Sequence, residues 1–119
     1  MEKMVQTIFR VQRIEPTELD DIVRIRLASQ DGKMELSVEV LKHLFTFEEN
    51  TELDIYIDKI PPKKADDANV LMQGDIFKVQ KKQDVVQVFG SLGGLQLRLI
   101  HPKDKKFFQA MDPLILAIF

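Results

Sequence analysis

Between Asp84 and Ile100 the chain reads DVVQVFGSLGGLQLRLI, its longest run of β-type residues, with three of its five glycines. Val86, Val88, Gly90 and Leu92 share one parity, while Leu95, Leu97 and Leu99 share the other. Side chains in a strand alternate between faces with period two, so a change of parity moves the apolar set to the opposite face. An extra residue at Gly93-Gly94 would absorb the slip as a β-bulge. The run therefore reads as one long strand, bent at Gly93 and Gly94, with apolar residues inward on both arms. A tight hairpin at the same glycines is the rival reading. Long bent strands turn the corners of small barrels, so this run already constrains the architecture.

The rest of the chain repeats the period-two pattern. Val5–Ile14 places Val5, Thr7, Phe9 and Val11 on one side. Ile22–Ser29 places Val23, Ile25 and Leu27 inward and Arg24 and Arg26 outward. Asp31-Gly32 lies between that run and Lys33–Val40, a strong hairpin signal, and Arg24 and Arg26 would then face Glu35 and Glu39 across the pair. Leu41–Glu49 loses the alternation and reads as a turn or loop with Leu44 or Phe45 buried. Glu52–Lys59 resumes it, with Leu53, Ile55 and Ile57 inward and Tyr56 on the polar face. The polar, proline-led stretch around 60–69 reads as a mobile loop. Val70–Gln80 is a strand in which Gly74 marks a close backbone approach or a bulge. Lys105–Met111 reads as a short helix, and Pro113–Phe119 as an apolar final strand that must pair within the barrel or with a partner. Short strands at close spacing predict an all-β fold: one antiparallel barrel of seven to eight strands, OB-like, forming a single domain over 1–119.

Hydrophobic residues make up 45% and charged residues 30% of the 119, an ordinary globular balance. Seventeen basic against 19 acidic residues leave a net charge of −2, without the basic surplus that phosphate binding exploits. With no cysteine and only His43 and His101, no zinc constellation can be written. The acid pairs Asp20-Asp21 and Asp66-Asp67 read as solvated turn residues rather than magnesium ligands. His43 reads as a partly buried structural residue and His101 as a strand-end residue in solvent. Nucleophile, base and orienter cannot be assembled from this inventory. GSLGG lacks the Lys-Ser/Thr and the following helix of a phosphate loop. No enzyme, cofactor or small-molecule ligand is expected. The N-terminal MEKMVQTIF is too polar and short for a signal peptide, and no apolar run approaches a membrane span, so the expected setting is soluble and cytoplasmic.

A single-strand-binding barrel needs aromatic platforms beside basic residues. Arg24, Arg26, Arg98 and Lys78 are outward cations and Tyr56 is the one outward aromatic, with Phe9, Phe77 and Phe89 assigned to the core. Solvated strand faces account for the same charges. Arg24, Arg26, Tyr56 and Lys78 are the residues through which any weak nucleic-acid contact would run.

Three stretches carry a family resemblance: Gly74-Asp75-Ile76-Phe77-Lys78-Val79, Val86 to Leu99 with its Gly93-Gly94-Leu95-Gln96-Leu97-Arg98-Leu99 core, and Leu114 to Phe119. They resemble the small eighth subunit of eukaryotic nuclear RNA polymerases and its counterpart in the archaeal DNA-directed RNA polymerase, the small G subunit. Phe9–Pro16, Val23–Leu27 and Met34–Val40 fall where that family has its first three strands. The 61–69 loop is shorter than the acidic insertion of eukaryotic members and Leu41–Phe47 departs from their pattern, which favours the archaeal branch. The resemblance implies a non-catalytic β-barrel subunit held on the polymerase's largest subunit, supporting assembly and stability, with nucleic acid touched weakly or indirectly. The docking residues expected from it are Gly93, Gly94, Leu95, Gln96 and Arg98. A free-standing single-stranded nucleic-acid-binding barrel is the alternative.

Overall fold

The computed structural model describes residues 5–105 and 107–119; the first four residues of the N-terminal stretch and Lys106 lie outside them. Eight strands form one closed antiparallel barrel: β1 (Val5–Pro16), β2 (Ile22–Ser29), β3 (Glu35–Leu41), β4 (Glu52–Asp58), β5 (Val70–Lys81), β6 (Val85–Leu92), β7 (Leu95–Pro102) and β8 (Pro113–Ile118). Around the ring the order is β1-β2-β3-β7-β6-β5-β8-β4, and β4 pairs with β1 to close it. This is the OB-like all-β barrel that the alternating runs predict. Closure leaves every strand with a neighbour on both sides, which removes the open edges that make sheets aggregate.

The glycine pair does not bend one strand; it ends one and starts the next. Leu92 pairs directly with Leu95, and the register holds outward to Val85 with Pro102. Gly93 and Gly94 are the two central residues of the turn, with φ of 61° and 90°. Positive φ at both positions is the requirement of a type I′ turn, whose twist matches the strands it joins. The parity change follows from this geometry. Paired residues across a two-residue loop have numbers of opposite parity, so Val88 and Leu99 face inward together, while Leu95, paired with the buried Leu92, is half-buried at the barrel end.

Two bulges re-aim side chains elsewhere. The β1–β2 register slips between Val11 and Arg13, and the β5–β6 register slips between Ile76 and Lys78. The second leaves Phe77 as the extra residue and turns it out of the core, where it is 53% exposed. Gly74 is the close approach: a Cβ there would lie 1.7 Å from the Ser91 carbonyl oxygen.

The core runs along the barrel axis, with Phe9, Ile25, Leu27, Leu36, Ile55, Ile57, Leu97, Leu99, Leu114 and Leu116 fully enclosed. β8 is apolar on both faces because both are covered. Leu114, Leu116 and Ile118 point inward, while Ile115 and Ala117 form a second cluster outside the barrel with Tyr56, Ala68 and Phe119. The 59–69 segment is tied down at both ends, where the Tyr56 hydroxyl donates to the Ile60 carbonyl at 2.6 Å and the Asn69 N–H to Ile118 O at 2.7 Å. Between them lies a single 3₁₀ turn, Ala65–Asp67. The described part of Lys105–Met111 contains no helix; it crosses the barrel base as irregular chain that buries Phe108 and packs Phe107 against the core.

Candidate partner interface

The hairpin tip stands at one end of the barrel, beside the β1–β2 connection and the segment after β3. Three leucines around it face solvent: Leu19 is 60%, Leu44 56% and Leu71 50% exposed. Leu19 and Gly94 line one depression of about 580 Å³, together with Pro16, Ile22 and Glu39. Leu44 and Leu71 line a second of about 260 Å³ with Val40, Leu41 and Met72. Leu95 belongs to both, so the two depressions meet at the base of the glycine turn. In the 41–49 segment it is Phe45 that enters the core, stacked edge-on against Phe47 with ring centroids 5.1 Å apart, leaving Leu44 outside.

At this end β3 and β7 part company. Their backbone register stops at Val38 with Leu97, and beyond it the Gln96 N–H donates to the Glu39 carboxylate at 2.9 Å instead. The same carboxylate receives Arg24 at 3.1 Å, so Arg24 and Glu39 form the cross-strand pair that the alternation predicts. Arg26 does not meet Glu35: its neighbour on β3 is Ser37, and it bonds Glu15 of β1 instead. That hydrogen bond holds the Glu15 carboxyl below the usual carboxylate range, with Arg13 adding to the effect from 3.7 Å.

Of the five docking residues expected from the sequence, Gly93, Gly94, Leu95 and Gln96 share this end. Arg98 lies further along β7, opposite Phe89, on the flank of the barrel. Of the four residues singled out for nucleic acid, Arg24 and Arg26 line one groove with Glu39, Phe89 and Arg98, and Lys78 on β5 lies over the Phe89 ring. Tyr56 is removed altogether: it is only 4% exposed, covered by the 59–69 segment, and so offers no stacking platform. Burial and the nearby Asp58 carboxylate raise its hydroxyl pKa. Phe77 and Phe89, assigned to the core from their spacing, lie outside it, with their rings 6.3 Å apart.

The two histidines exchange environments relative to expectation. His43 is exposed, and His101 is buried at 1% exposure. The His101 ring packs edge-on against Phe107 at 4.7 Å, with Nδ1 2.8 Å from the Pro102 carbonyl and Nε2 without a partner among the described residues. Burial pushes its pKa down. Among the described residues no group of three or more His, Asp or Glu side chains could hold a metal ion.

Over residues 4–118 the sequence matches the RpbG family, the G subunits of DNA-directed RNA polymerase. The chain belongs to that family. It is therefore a small, non-catalytic accessory subunit of an RNA polymerase, as the three motif stretches imply. No curated protein matches the sequence. Among solved structures, the molybdate-bound, PEG-grown crystal form of the cytoplasmic molybdate-binding protein ModG is similar in outline. It is 10% identical, with 99% of this chain and 92% of that one covered and a TM-score of 0.39. A likeness that distant carries nothing about ligand or function. No helix of the described residues is long and apolar enough to cross a membrane.

Proposed function

We propose that this subunit docks on the largest subunit of the polymerase through the barrel end that carries the Gly93-Gly94 turn, and that docking stabilises the assembled enzyme in the cytoplasm. The observation that carries the reading is the ring of exposed leucines, Leu19, Leu44 and Leu71, around two depressions that share Leu95. Apolar side chains concentrated at one place on the outside of a barrel mark an interaction surface. Family membership makes the polymerase the partner, and the resemblance points to its largest subunit. The ring is closed, and where β3 and β7 part at this end the Gln96 N–H is already taken by the Glu39 carboxylate, so in this reading the partner is held chiefly by side chains seated in the depressions rather than by an added strand. The side-chain-free turn keeps the tip narrow, and the parted ends of β3 and β7 present Gln96 and Glu39 as polar contacts at its rim.

Affinity capture with the tagged full-length chain tests this. The wild-type chain should recover the polymerase subunits, and Leu44→Glu together with Leu71→Glu should lose them while melting at the wild-type temperature. Absence of polymerase from the wild-type capture, or full retention by the double variant, overturns the proposal.

A further inference from the structure

We propose that the outer groove between β2, β3 and β7 receives an acidic side chain of the docked partner, its carboxylate seated between Arg26 and Arg98 above Ser37. The inference rests on docking by the glycine-turn end and adds the partner's chemistry beside it. Ser37 lies at the centre: Arg26 of β2 pairs with it on one side and Arg98 of β7 on the other. Strands about 4.8 Å apart put the two arginine backbones about 10 Å from each other, with only the short serine side chain between them. Arg26, Ser37 and Arg98 are also the three residues common to two depressions, of about 240 and about 70 Å³, so the groove is centred on them.

The charges here are not equivalent. Glu15 engages Arg13 and Arg26, and Glu39 engages Arg24. Among the described residues Arg98, which is half-buried, has no carboxylate partner and the Ser37 hydroxyl has no hydrogen-bond partner. Glu35 borders the smaller depression without bonding Arg98. The larger depression shares Arg24 and Glu39 with the one that holds Leu19 and Gly94, so a partner seated at the glycine turn extends towards Arg98. Covering an unpaired guanidinium is costly unless the partner supplies the counter-charge. A carboxylate matches the guanidinium fork with two parallel hydrogen bonds and can accept another from the Ser37 hydroxyl. At about 240 Å³ the groove is smaller than the roughly 300–1,000 Å³ of pockets that enclose a small-molecule ligand, so it suits a side chain of a larger partner. The one surplus cation stands among Glu15, Glu35 and Glu39, which together oppose a chain of successive phosphates more than a single carboxylate.

The test uses assembled polymerase, isolated through a tag on another subunit and treated with nuclease, from cells expressing variants of the full chain. In salt washes Arg98→Glu should leave the complex roughly tenfold faster than the wild-type chain. Arg98→Lys, which keeps the charge without the fork, should fall between the two. Lys82→Glu, at the opposite end of the barrel, should match the wild type. A photoreactive residue at Gln96, on the rim of the groove, should link to a polymerase subunit at or beside an Asp or Glu. Thermal melts of the free chains establish that each variant is folded, and Arg98→Gln replaces Arg98→Glu if that one is not. Release of the folded Arg98 variant at the wild-type rate, or links from Gln96 to nucleic acid or to a stretch without Asp or Glu, overturns the proposal. The chain carrying Leu44→Glu and Leu71→Glu keeps the two failures apart. Its loss from the complex, with unaltered release of Arg98→Glu, overturns the carboxylate site alone. Its retention, with fast release of Arg98→Glu, overturns the docking end and leaves the carboxylate site standing.

Discussion

Gly74→Ala should be the most damaging single-methyl change in this barrel. The added Cβ would lie 1.7 Å from the Ser91 carbonyl oxygen, 2.7 Å from its carbon and 2.9 Å from the Leu92 Cα. A tolerable carbon–oxygen contact is about 3.3 Å, so the two strands must separate by roughly 1.6 Å at this point. All three obstructing atoms are backbone, so no rotamer change relieves the clash. Gly74 pairs with Leu114 on β8, and the next residue, Asp75, pairs with Ser91 on β6, so separation strains ladders on both sides. Overpacking costs typically 1–3 kcal/mol, and a backbone obstruction belongs near about 3. The lower entropy of an unfolded alanine returns about 0.5–1 kcal/mol, leaving a net loss of about 2 kcal/mol. At roughly 3–5 °C per kcal/mol for a domain of this size, the melting temperature should fall by about 6–10 °C. Circular-dichroism melts of Gly74→Ala beside Gly94→Ala would measure this. At Gly94 a Cβ meets nothing within 4 Å and only the positive φ of 90° is strained, so the loss there should be smaller. A Gly74→Ala protein that melts at or above the wild-type temperature, or above Gly94→Ala, refutes the close-approach reasoning.

Gly94→Val puts a β-branched residue at the positive φ of the turn and should cost about 1–3 kcal/mol in chemical denaturation, with weaker co-purification of the polymerase; unchanged values on both counts would contradict it. His101 makes stability fall as pH drops. Its folded pKa is depressed by burial, so below the unfolded value of about 6.5 the unfolded chain takes up the proton first and folding is increasingly disfavoured. The urea midpoint should therefore decline between about pH 7 and pH 5 in the wild type, and decline less in His101→Gln. Tyr56→Phe removes the hydroxyl that donates to Ile60 and should cost about 1 kcal/mol, with faster proteolytic cleavage in the 59–69 segment; cleavage at the wild-type rate would show that the tether is immaterial.

The barrel was legible in the sequence because alternation is a local signal: Val23, Ile25 and Leu27, or Leu53, Ile55 and Ile57, face inward as their spacing requires. The glycine pair stayed ambiguous, since a bulge and a two-residue turn both reverse parity. Only the Leu92–Leu95 pairing, a contact between strands, separates the two. Tyr56 alternates as an outward residue and does point out of the barrel, but a segment further along the chain covers it. Phe77 was hidden by a bulge, which period-two reading cannot place from one strand alone. His101 is buried by Phe107 from an irregular stretch with no periodicity to reveal its path. At the proposed interface the glycines, Leu95 and Gln96 were legible from the motif, whereas Leu19, Leu44 and Leu71 were not. An exposed leucine in a turn looks like any other leucine until the chain around it is folded.

Docking by the glycine-turn end is tested most directly by site-specific photo-cross-linking in the assembled polymerase. A photoreactive residue at Leu44 or Leu71 should link to the largest subunit, and one at Lys82, in the β5–β6 turn at the opposite end of the barrel, should not. Cross-links to the largest subunit from Lys82 with none from Leu44 or Leu71 would contradict the account.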